Sequence, residues 1–126
     1  MRLQVALDLT EPGTAIDLAR RLCSAGAVDI VEAGTPLIKA AGILIVSALR
    51  VACPNVEIMA DLKTMDVGAL EARLAINAGA NIVSVLGAAA NETISEFINE
   101  ARRLGGKPLV DMISVRDPRA RLEELI

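Results

Sequence analysis

Acidic residues stand at the ends of three successive apolar segments of the sequence. Asp8, Glu32 and Asp61 each close a short run of apolar residues whose pattern predicts a β-strand. The loops that leave the carboxyl ends of parallel strands are where α/β folds place their ligands. Carboxylates crowded at one edge of an apolar sheet repel one another, and a nearby cation or lysine makes them tolerable. The three acids therefore indicate a functional site.

Lys63 and Asp66 follow Asp61 at a spacing that extends this predicted site. Residues two apart in a strand point to the same side, so Asp61 and Lys63 are expected to project into one space. A lysine surrounded by acids stays protonated, which suits a proton donor or an electrostatic partner better than a Schiff-base amine. Asp66 stands at the start of the next predicted helix, where it can cap that helix and also contact a ligand.

Glu32 and Asp61 end neighbouring predicted strands, and this placement suggests a metal site. Carboxylate oxygens are ligands for hard cations, so the pair favours Mg²⁺ with water in the remaining positions, and Mn²⁺ would fit the same acids. Such an ion could hold the two oxygens of an enediolate and stabilise charge on a sugar carbon. The sequence has no His, which leaves the chemistry to carboxylates, lysine, hydroxyls and backbone dipoles.

The composition narrows the class of protein. The chain has 126 residues, of which 53% are hydrophobic, and this predicts one packed domain over residues 1–126 with no second domain. Only 1% of the residues are aromatic, too few to form a stacking platform for single-stranded nucleic acid. The net charge of -3 offers no attraction to a polyanion. We therefore expect no nucleic-acid partner.

Neither the apolar stretches nor the cysteines indicate a membrane or an oxidising compartment. The longest uncharged stretch near the middle, residues 40–49, is far shorter than the roughly 20 residues that a membrane span needs. The first residues lead directly into a predicted strand, with no room for a secretion signal. Cys23 and Cys53 stand singly in apolar helical patterns and are predicted to be reduced core residues. A cytoplasmic location without a membrane partner is expected.

Short β-branched runs alternate with longer helical patterns five times along the chain. The predicted strands cover residues 3–7, 28–32, 56–61, 81–86 and 108–114. The predicted helices cover residues 12–25, 36–52, 67–78, 92–104 and 118–125. The residues placed to cap helix starts are Thr35, Asp66, Asn91 and Asp117. Glycines suited to a left-handed conformation follow three helices, at Gly26, Gly79 and Gly105.

Two α/β folds use such an alternation. A doubly wound five-stranded sheet is complete at about this length, whereas a TIM barrel needs eight βα units and roughly 250 residues. A response-regulator domain, which is doubly wound, uses a pair of acids after its first strand and a hydroxyl that ends its fourth. Here Asp8 is followed by Leu9, and Ser84 lies inside the fourth predicted strand, so that machinery is not assembled. Strand order distinguishes the folds, because only the doubly wound sheet places strand 1 in the middle.

Four segments, residues 5–8, 28–39, 60–66 and 83–87, resemble the 3-hexulose-6-phosphate synthase family. That family belongs to the orotidine 5'-monophosphate decarboxylase superfamily, together with 3-keto-L-gulonate-6-phosphate decarboxylase. The superfamily's Asp-x-Lys-x-x-Asp signature is similar to the run formed by Asp61, Lys63 and Asp66. Residues 34–39 and the pair 64–65 look more like the synthase branch. The resemblance implies a partial TIM (β/α)8 barrel of about five βα units with sequential parallel strands.

The resemblance also implies an activity and roles for the acidic residues. It implies a lyase, an aldolase that condenses formaldehyde with D-ribulose 5-phosphate through a Mg²⁺-stabilised enediolate. Glu32 and Asp61 would bind the metal, with Mn²⁺ as the alternative ion. Asp8 and Lys63 would be catalytic and contact the sugar phosphate and the intermediate. Asp66 would also be catalytic and would reach into the partner's active site across the interface of the family's homodimer.

The chain ends where the family's fifth helix ends, before the family's strand-6 His and the loops that hold the substrate phosphate. The resemblance therefore implies negligible aldolase activity from this chain alone. Three alternatives stay open: 3-keto-L-gulonate-6-phosphate decarboxylation, a non-catalytic fragment that self-associates through open sheet edges, and a complete doubly wound binding module. Asp111, in the fifth predicted strand, points toward the same mouth as the other acids and is a further site candidate.

Overall fold

The computed structural model describes residues 1–126 and contains five strands and six helices. The strands are β1 (Gln4–Leu7), β2 (Ile30–Ala33), β3 (Glu57–Thr64), β4 (Ile82–Leu86) and β5 (Lys107–Asp111). The helices are α1 (Pro12–Ser24), α2 (Thr35–Ala41), α3 (Leu44–Ala52), α4 (Gly68–Asn77), α5 (Asn91–Arg103) and α6 (Pro118–Leu125). Every strand is followed by a helix, so the predicted βα alternation is confirmed.

The five strands form a single parallel sheet in the order β1-β2-β3-β4-β5. A doubly wound sheet would place β1 in the interior, because its chain reverses direction across the sheet. The observed sequential order is therefore incompatible with the doubly wound alternative. It confirms the prediction of an α/β fold that forms part of a TIM barrel, with β1 and β5 as the two edges.

Alternate residues of each strand face opposite sides of the sheet. Leu7, Val31 and Ile58 point toward the helices and are almost completely buried in the hydrophobic core. Ala6 and Lys107 point to the opposite side and are exposed. The core therefore lies between the sheet and its helices. On the other face the edge strands expose their residues, whereas Met59 and Ser84 of the central strands are buried.

Helices α4 and α5 form the closest helix pair in the fold. A Cβ atom at Gly68 would lie 2.3 Å from the backbone oxygen of Thr93, so only glycine permits this approach. Phe97, the single aromatic residue, is fully buried beside Gly68. Glu100 of α5 is also buried and accepts a hydrogen bond from Arg73 Nε of α4 at 2.7 Å. The pair is thus fixed by apolar packing and by an ion pair.

The prediction of one helix over residues 36–52 is wrong, because the chain bends between α2 and α3. Gly42 has a φ of 75°, a left-handed conformation that ends α2. The two helices are bent by 112° relative to each other. Hydrophobic periodicity continues across the break, and periodicity does not report the conformation of one glycine. No single helix combines the length and hydropathy of a membrane span; α2 and α3 reach them only as this bent pair.

The ends of two strands also differ from the predictions. The fifth strand ends at Asp111 rather than at residue 114, and the turn that follows contains Ser114 with a φ of 63°. The third strand extends to Thr64, three residues beyond its predicted end. Both differences lie at the carboxyl edge of the sheet, where loops and a bulge displace the backbone.

The predicted helix boundaries are confirmed in part. Asp117 caps α6 by accepting a hydrogen bond from the Ala120 N–H at 3.0 Å. Positive φ angles after three helices confirm the roles of Gly26, Gly79 and Gly105. The predicted caps at Thr35, Asp66 and Asn91 are wrong. The N-cap residues of α2, α4 and α5 are instead Gly34, Val67 and Ala90. Side chains at these starts bond elsewhere or face solvent.

Cys23 and Cys53 form a disulfide, so the prediction that both are reduced is wrong. Cys23 lies near the end of α1 and Cys53 directly after α3, and these two helices pack side by side. The Cα atoms are 5.7 Å apart, within the range that a disulfide requires. The pairing depends on helix packing across 30 residues of sequence, for which a spacing motif has no signal.

Candidate active site

The carboxyl edge of the sheet gathers four of the five predicted site residues. Glu32 lies near the end of β2 and interacts electrostatically with Asp8, Asp61 and Lys63. Asp61 and Lys63 belong to the last part of β3. Asp111 joins this cluster from the end of β5, which confirms the orientation predicted for it. The cluster thus contains four carboxylates and one ammonium group.

Asp61 lies at the centre of the cluster and is only 8% exposed. Its Oδ1 accepts a hydrogen bond from Ser84 Oγ at 2.8 Å. Its Oδ2 accepts one from Thr35 Oγ1 at 2.8 Å and lies 3.0 Å from Lys63 Nζ. A buried carboxylate needs such partners, because burial without them favours the neutral acid. Asp61 is therefore held in a defined orientation by Ser84 of β4, by Thr35 at the start of α2 and by the lysine.

Lys63 is held between two carboxylates. Its Nζ lies 2.6 Å from Asp111 Oδ2 and 3.0 Å from Asp61 Oδ2. The hydrogen bond to Asp111, with further contributions from Asp61, holds the pKa of Lys63 above its ordinary value despite partial burial. The amine is therefore an ammonium group at neutral pH, in agreement with the sequence-based expectation of a proton donor or electrostatic partner.

Glu32 carries a negative charge that no cationic side chain neutralises by direct contact. Its only hydrogen bond is accepted by Oε2 from Gln4 Nε2, at 2.5 Å. Burial raises the pKa of Glu32, the Gln4 bond opposes this shift, and the negative charges of Asp61 and Asp8 add to it. A nearby cation would therefore stabilise the ionised form of Glu32.

Glu32 and Asp61 are carboxylates, the ligand type that hard divalent cations prefer. No group of three or more His, Cys, Asp or Glu is placed to hold a metal ion, so at most two such side chains could ligate one here. Mg²⁺ is often bound through one or two carboxylates and retains water in its other positions. The raised pKa of Glu32 and its lack of a cationic contact match that arrangement.

Asp8 occupies space that only a glycine at position 34 leaves free. A Cβ atom at Gly34 would lie 2.0 Å from Asp8 Oδ1 and 2.8 Å from the backbone oxygen of Leu7. Gly34 follows Glu32 by two residues, and its backbone forms part of the wall of the site. The sequence contains the glycine, but its contact with Asp8 depends on the pairing of β1 with β2.

Asp66 is not brought into contact with the other site residues of its own chain. It is exposed, and its Oδ1 accepts a hydrogen bond from the Val67 N–H at 2.7 Å. Val67 has a φ of 48°, an uncommon conformation for a β-branched residue. Met65 and Val67 are 54% and 51% exposed, so apolar side chains flank Asp66 on both sides.

Thr35 and Ser84 are site residues that the sequence predictions missed. Each bonds to the Asp61 carboxylate, and Thr35 Oγ1 also donates to the backbone oxygen of Asp61 at 2.8 Å. Thr35 was predicted as a helix cap, whereas Ser84 was noted only as lying inside a strand. No local signal separates a structural hydroxyl from one that faces a site, because its direction depends on the neighbouring strand.

The fold and the site together define a class of protein. An open segment of a TIM barrel carries acids and a lysine at the carboxyl edge of its strands, which is where enzymes of this fold place their chemistry. The chain belongs to the family described as orotidine 5'-phosphate decarboxylase / HUMPS, whose sequence model matches residues 1–125.

Comparisons with individual proteins describe the similarity within this family in more detail. The chain is 42% identical to the 3-hexulose-6-phosphate synthase of Mycobacterium gastri over 125 residues, covering 99% of this chain and 59% of the relative. A crystal structure of 3-hexulose-6-phosphate synthase superposes with a TM-score of 0.94 at 43% identity, over 99% of this chain and 59% of that one. The 3-keto-L-gulonate-6-phosphate decarboxylase of Vibrio cholerae is 33% identical, with a TM-score of 0.90 over 98% and 58%. The chain thus spans about three fifths of the length of these relatives.

Proposed function

We propose that this chain carries the acidic half of a 3-hexulose-6-phosphate synthase site, a lyase that condenses formaldehyde with D-ribulose 5-phosphate. The observation that supports this most directly is the ammonium of Lys63, held between Asp61 and Asp111 beside Glu32. The identity to named synthases is higher than to the named decarboxylase, which favours the aldol reaction over decarboxylation.

In the aldol reaction, negative charge develops on a sugar carbon and is then consumed when the new C–C bond forms. D-ribulose 5-phosphate loses a proton from C1 to a carboxylate of the cluster, and the resulting enediolate attacks the carbon of formaldehyde. The new C–C bond restores the C2 carbonyl and leaves an alkoxide on the former formaldehyde oxygen, which takes up the proton that the carboxylate had accepted. Lys63 stabilises the negative oxygens of the sugar as an ammonium group, and Asp8 contacts the sugar hydroxyls.

Glu32 and Asp61 are the residues that would hold Mg²⁺, with Mn²⁺ as the alternative. When bound, such an ion supplies Lewis-acid stabilisation to oxygens on which negative charge develops. The hydroxyls of Thr35 and Ser84 fix the Asp61 carboxylate before any ligand arrives, so its orientation does not depend on the ion.

We also propose that the active form is a homodimer in which Asp66 enters the site of the partner. Asp66 is exposed between Met65 and Val67, and the nearby helix α4 exposes about half of Leu70 and Leu74. A second copy that covers these apolar side chains would remove them from water and bring Asp66 toward the other sugar site. Sedimentation of the chain with Leu70→Glu and Leu74→Glu tests the interface, and a shift of wild-type dimer to monomer in the variant is expected.

A cytoplasmic location is proposed, because phosphorylated sugars are metabolites of that compartment. Fractionation of cells that express the chain tests the location, and recovery of the chain in the cytoplasmic fraction is the expected result. Recovery in a membrane or secreted fraction would overturn it.

Hydrogen exchange at C1 tests the proposed chemistry without the complete condensation. D-ribulose 5-phosphate is incubated with the chain and Mg²⁺ in heavy water, and loss of the C1 proton signal is followed by NMR. Exchange that requires the ion and disappears in Lys63→Ala is expected. An unchanged rate in that variant, or decarboxylation of 3-keto-L-gulonate 6-phosphate in place of exchange, would refute the proposal.

A further inference from the structure

Ser84 is a fully buried hydroxyl that connects two residues of the site. It lies in the middle of β4, and none of its surface is exposed. Its Oγ donates to Asp61 Oδ1 at 2.8 Å and accepts a hydrogen bond from the Lys63 backbone N–H at 3.1 Å. The hydroxyl therefore touches the carboxylate of one site residue and the backbone of another.

The backbone of β3 is irregular at the position where Ser84 acts. Ala60 pairs with Val83 and Thr64 with Val85, so four steps along β3 correspond to two steps along β4. Lys63 lies within this bulge and has a φ of 49°, a conformation that lysine rarely adopts. In a bulge the ladder is locally interrupted, and a buried N–H then needs another acceptor. Ser84 Oγ supplies that acceptor for Lys63.

The two bonds of Ser84 also determine the direction of its proton. A serine hydroxyl has one proton to donate and two lone pairs that accept. The backbone N–H of Lys63 can only donate, so Oγ must accept there. The proton of Ser84 is then directed to Asp61 Oδ1, where the acceptor is a carboxylate. A hydrogen bond of this charge-assisted kind is stronger than one between neutral groups.

We propose that Ser84 is a positioning residue, whose hydroxyl couples the orientation of the Asp61 carboxylate to the left-handed backbone of Lys63. The side chain of Lys63 leaves the bulge in a direction set by that backbone, and it reaches both Asp61 and Asp111. Loss of the hydroxyl frees the bulge and leaves one oxygen of Asp61 without its donor. The importance of Ser84 for catalysis rests on the proposed function. Its hydrogen bonds to the bulge do not depend on that function.

Three variants test the role of Ser84. Ser84→Ala removes the hydroxyl, and Ser84→Thr restores it with a side chain that strands accept well. Ser47→Ala is the matched control, because Ser47 Oγ donates to the backbone oxygen of Ala78 at 2.8 Å and takes no part in the site. Ser84→Cys replaces the hydroxyl by a somewhat larger thiol, which is a weaker donor, and serves as a second test if the alanine variant does not fold.

Two readouts separate positioning from simple stability. The first is hydrogen exchange of the Lys63 amide by NMR, together with its φ-dependent coupling constant. The second is the affinity for Mn²⁺, measured by electron paramagnetic resonance. Ser84→Ala is expected to raise exchange of the Lys63 amide about tenfold and to weaken Mn²⁺ binding about tenfold, whereas Ser84→Thr restores both. Ser47→Ala should change the thermal midpoint alone.

The proposal is overturned if Ser84→Ala, or Ser84→Cys in its place, leaves both the Lys63 amide and the Mn²⁺ affinity as in the wild type. It is also overturned if Ser84→Thr fails to restore either value in a folded protein. The amide measurement uses neither sugar nor metal. A change there together with absent C1 exchange in the wild type would refute the proposed function and leave the positioning role supported.

Discussion

Lys63 Nζ lies 2.6 Å from Asp111 Oδ2, and this contact joins the third strand of the sheet to the fifth. The fourth strand lies between them, so the side chains meet across the face of the sheet. The same ammonium contacts Asp61, which makes Lys63 the common partner of two acids on different strands. The position of the lysine in the site therefore depends on Asp111 as much as on its own strand.

Replacement of Asp111 by asparagine should displace the ammonium of Lys63. Asp111→Asn removes the strongest partner of the amine, and the rate of C1 exchange is expected to fall about tenfold or more. Because pairing raises the pKa of Lys63, its stabilising effect is present below the ordinary lysine pKa of 10.5 and is lost as the pH rises above that value. Urea unfolding of the variant should accordingly depend less on pH in the alkaline range.

Asp17→Asn is the control for this prediction, since Asp17 is an exposed acid that contacts only Arg20. Equal exchange rates in wild type and Asp111→Asn would contradict the role given to the contact.

Glu32→Gln is expected to stabilise the folded chain in the absence of metal. The pKa of Glu32 is raised in the folded state, so the ionised side chain costs stability once the pH exceeds the value of the unfolded chain. A neutral amide removes this cost at pH 7 and also removes a proposed metal ligand. The thermal midpoint of the variant should therefore rise without Mg²⁺ and show no further rise when Mg²⁺ is added.

The wild type should gain stability from Mg²⁺ in the same measurement, and Glu92→Gln, at an exposed position of α5, should behave like the wild type. A lower midpoint for Glu32→Gln without metal would show that the charge of Glu32 stabilises the fold.

Glu100 should make the fold sensitive to acid. Hydrogen bonds from Arg103 and Arg73 lower the pKa of Glu100 to about 2. For an acid with a lowered pKa, the stabilising effect is complete above the unfolded value near 4.5 and is lost as the pH falls toward 2. The urea midpoint of the wild type should fall over that interval, and Glu100→Gln should remove part of the dependence. Glu96→Gln, on an exposed position of the same helix, should leave the dependence unchanged.

Reduction of the disulfide should destabilise the chain without altering the site. The bridge between Cys23 and Cys53 closes a loop with a sequence separation of 30, for which the chain-entropy model gives about 3 to 4 kcal/mol. A thiol reductant should lower the free energy of unfolding by that order, and Cys23→Ala should unfold equally with or without the reductant. Identical unfolding of the wild type in both conditions would contradict a stabilising role of the bridge.

A methyl group at position 34 should displace Asp8. In Gly34→Ala the new Cβ would overlap Asp8 Oδ1 and press on the backbone oxygen of Leu7. Overpacking of this kind costs about 1 to 3 kcal/mol, and binding of D-ribulose 5-phosphate measured by calorimetry should weaken with it. Gly13→Ala is the control, because its Cβ would meet only the flexible side chain of Glu11.

The alternation of strands and helices and the acidic strand ends could be predicted from the sequence because both are local properties. Apolar runs and helical periodicity repeat within a few residues, and Asp8, Glu32 and Asp61 follow directly from the ends of those runs. The resemblance to the synthase family was carried by the same segments and is confirmed by the family match over residues 1–125. The metal, the homodimer and the role of Asp66 stay predictions.

Tertiary structure alone decided which residues meet across the sheet. The contact of Lys63 with Asp111 and the disulfide each join residues at least 30 positions apart in sequence. The break at Gly42 and the left-handed backbone of Lys63 depend on the conformation of single residues, which hydrophobic periodicity does not report. The sequence by itself determined the strands and helices and the types of side chain at their ends. Packing decided which of these side chains meet, because the energy of a contact depends on the distance between two groups in space and not on their separation along the chain.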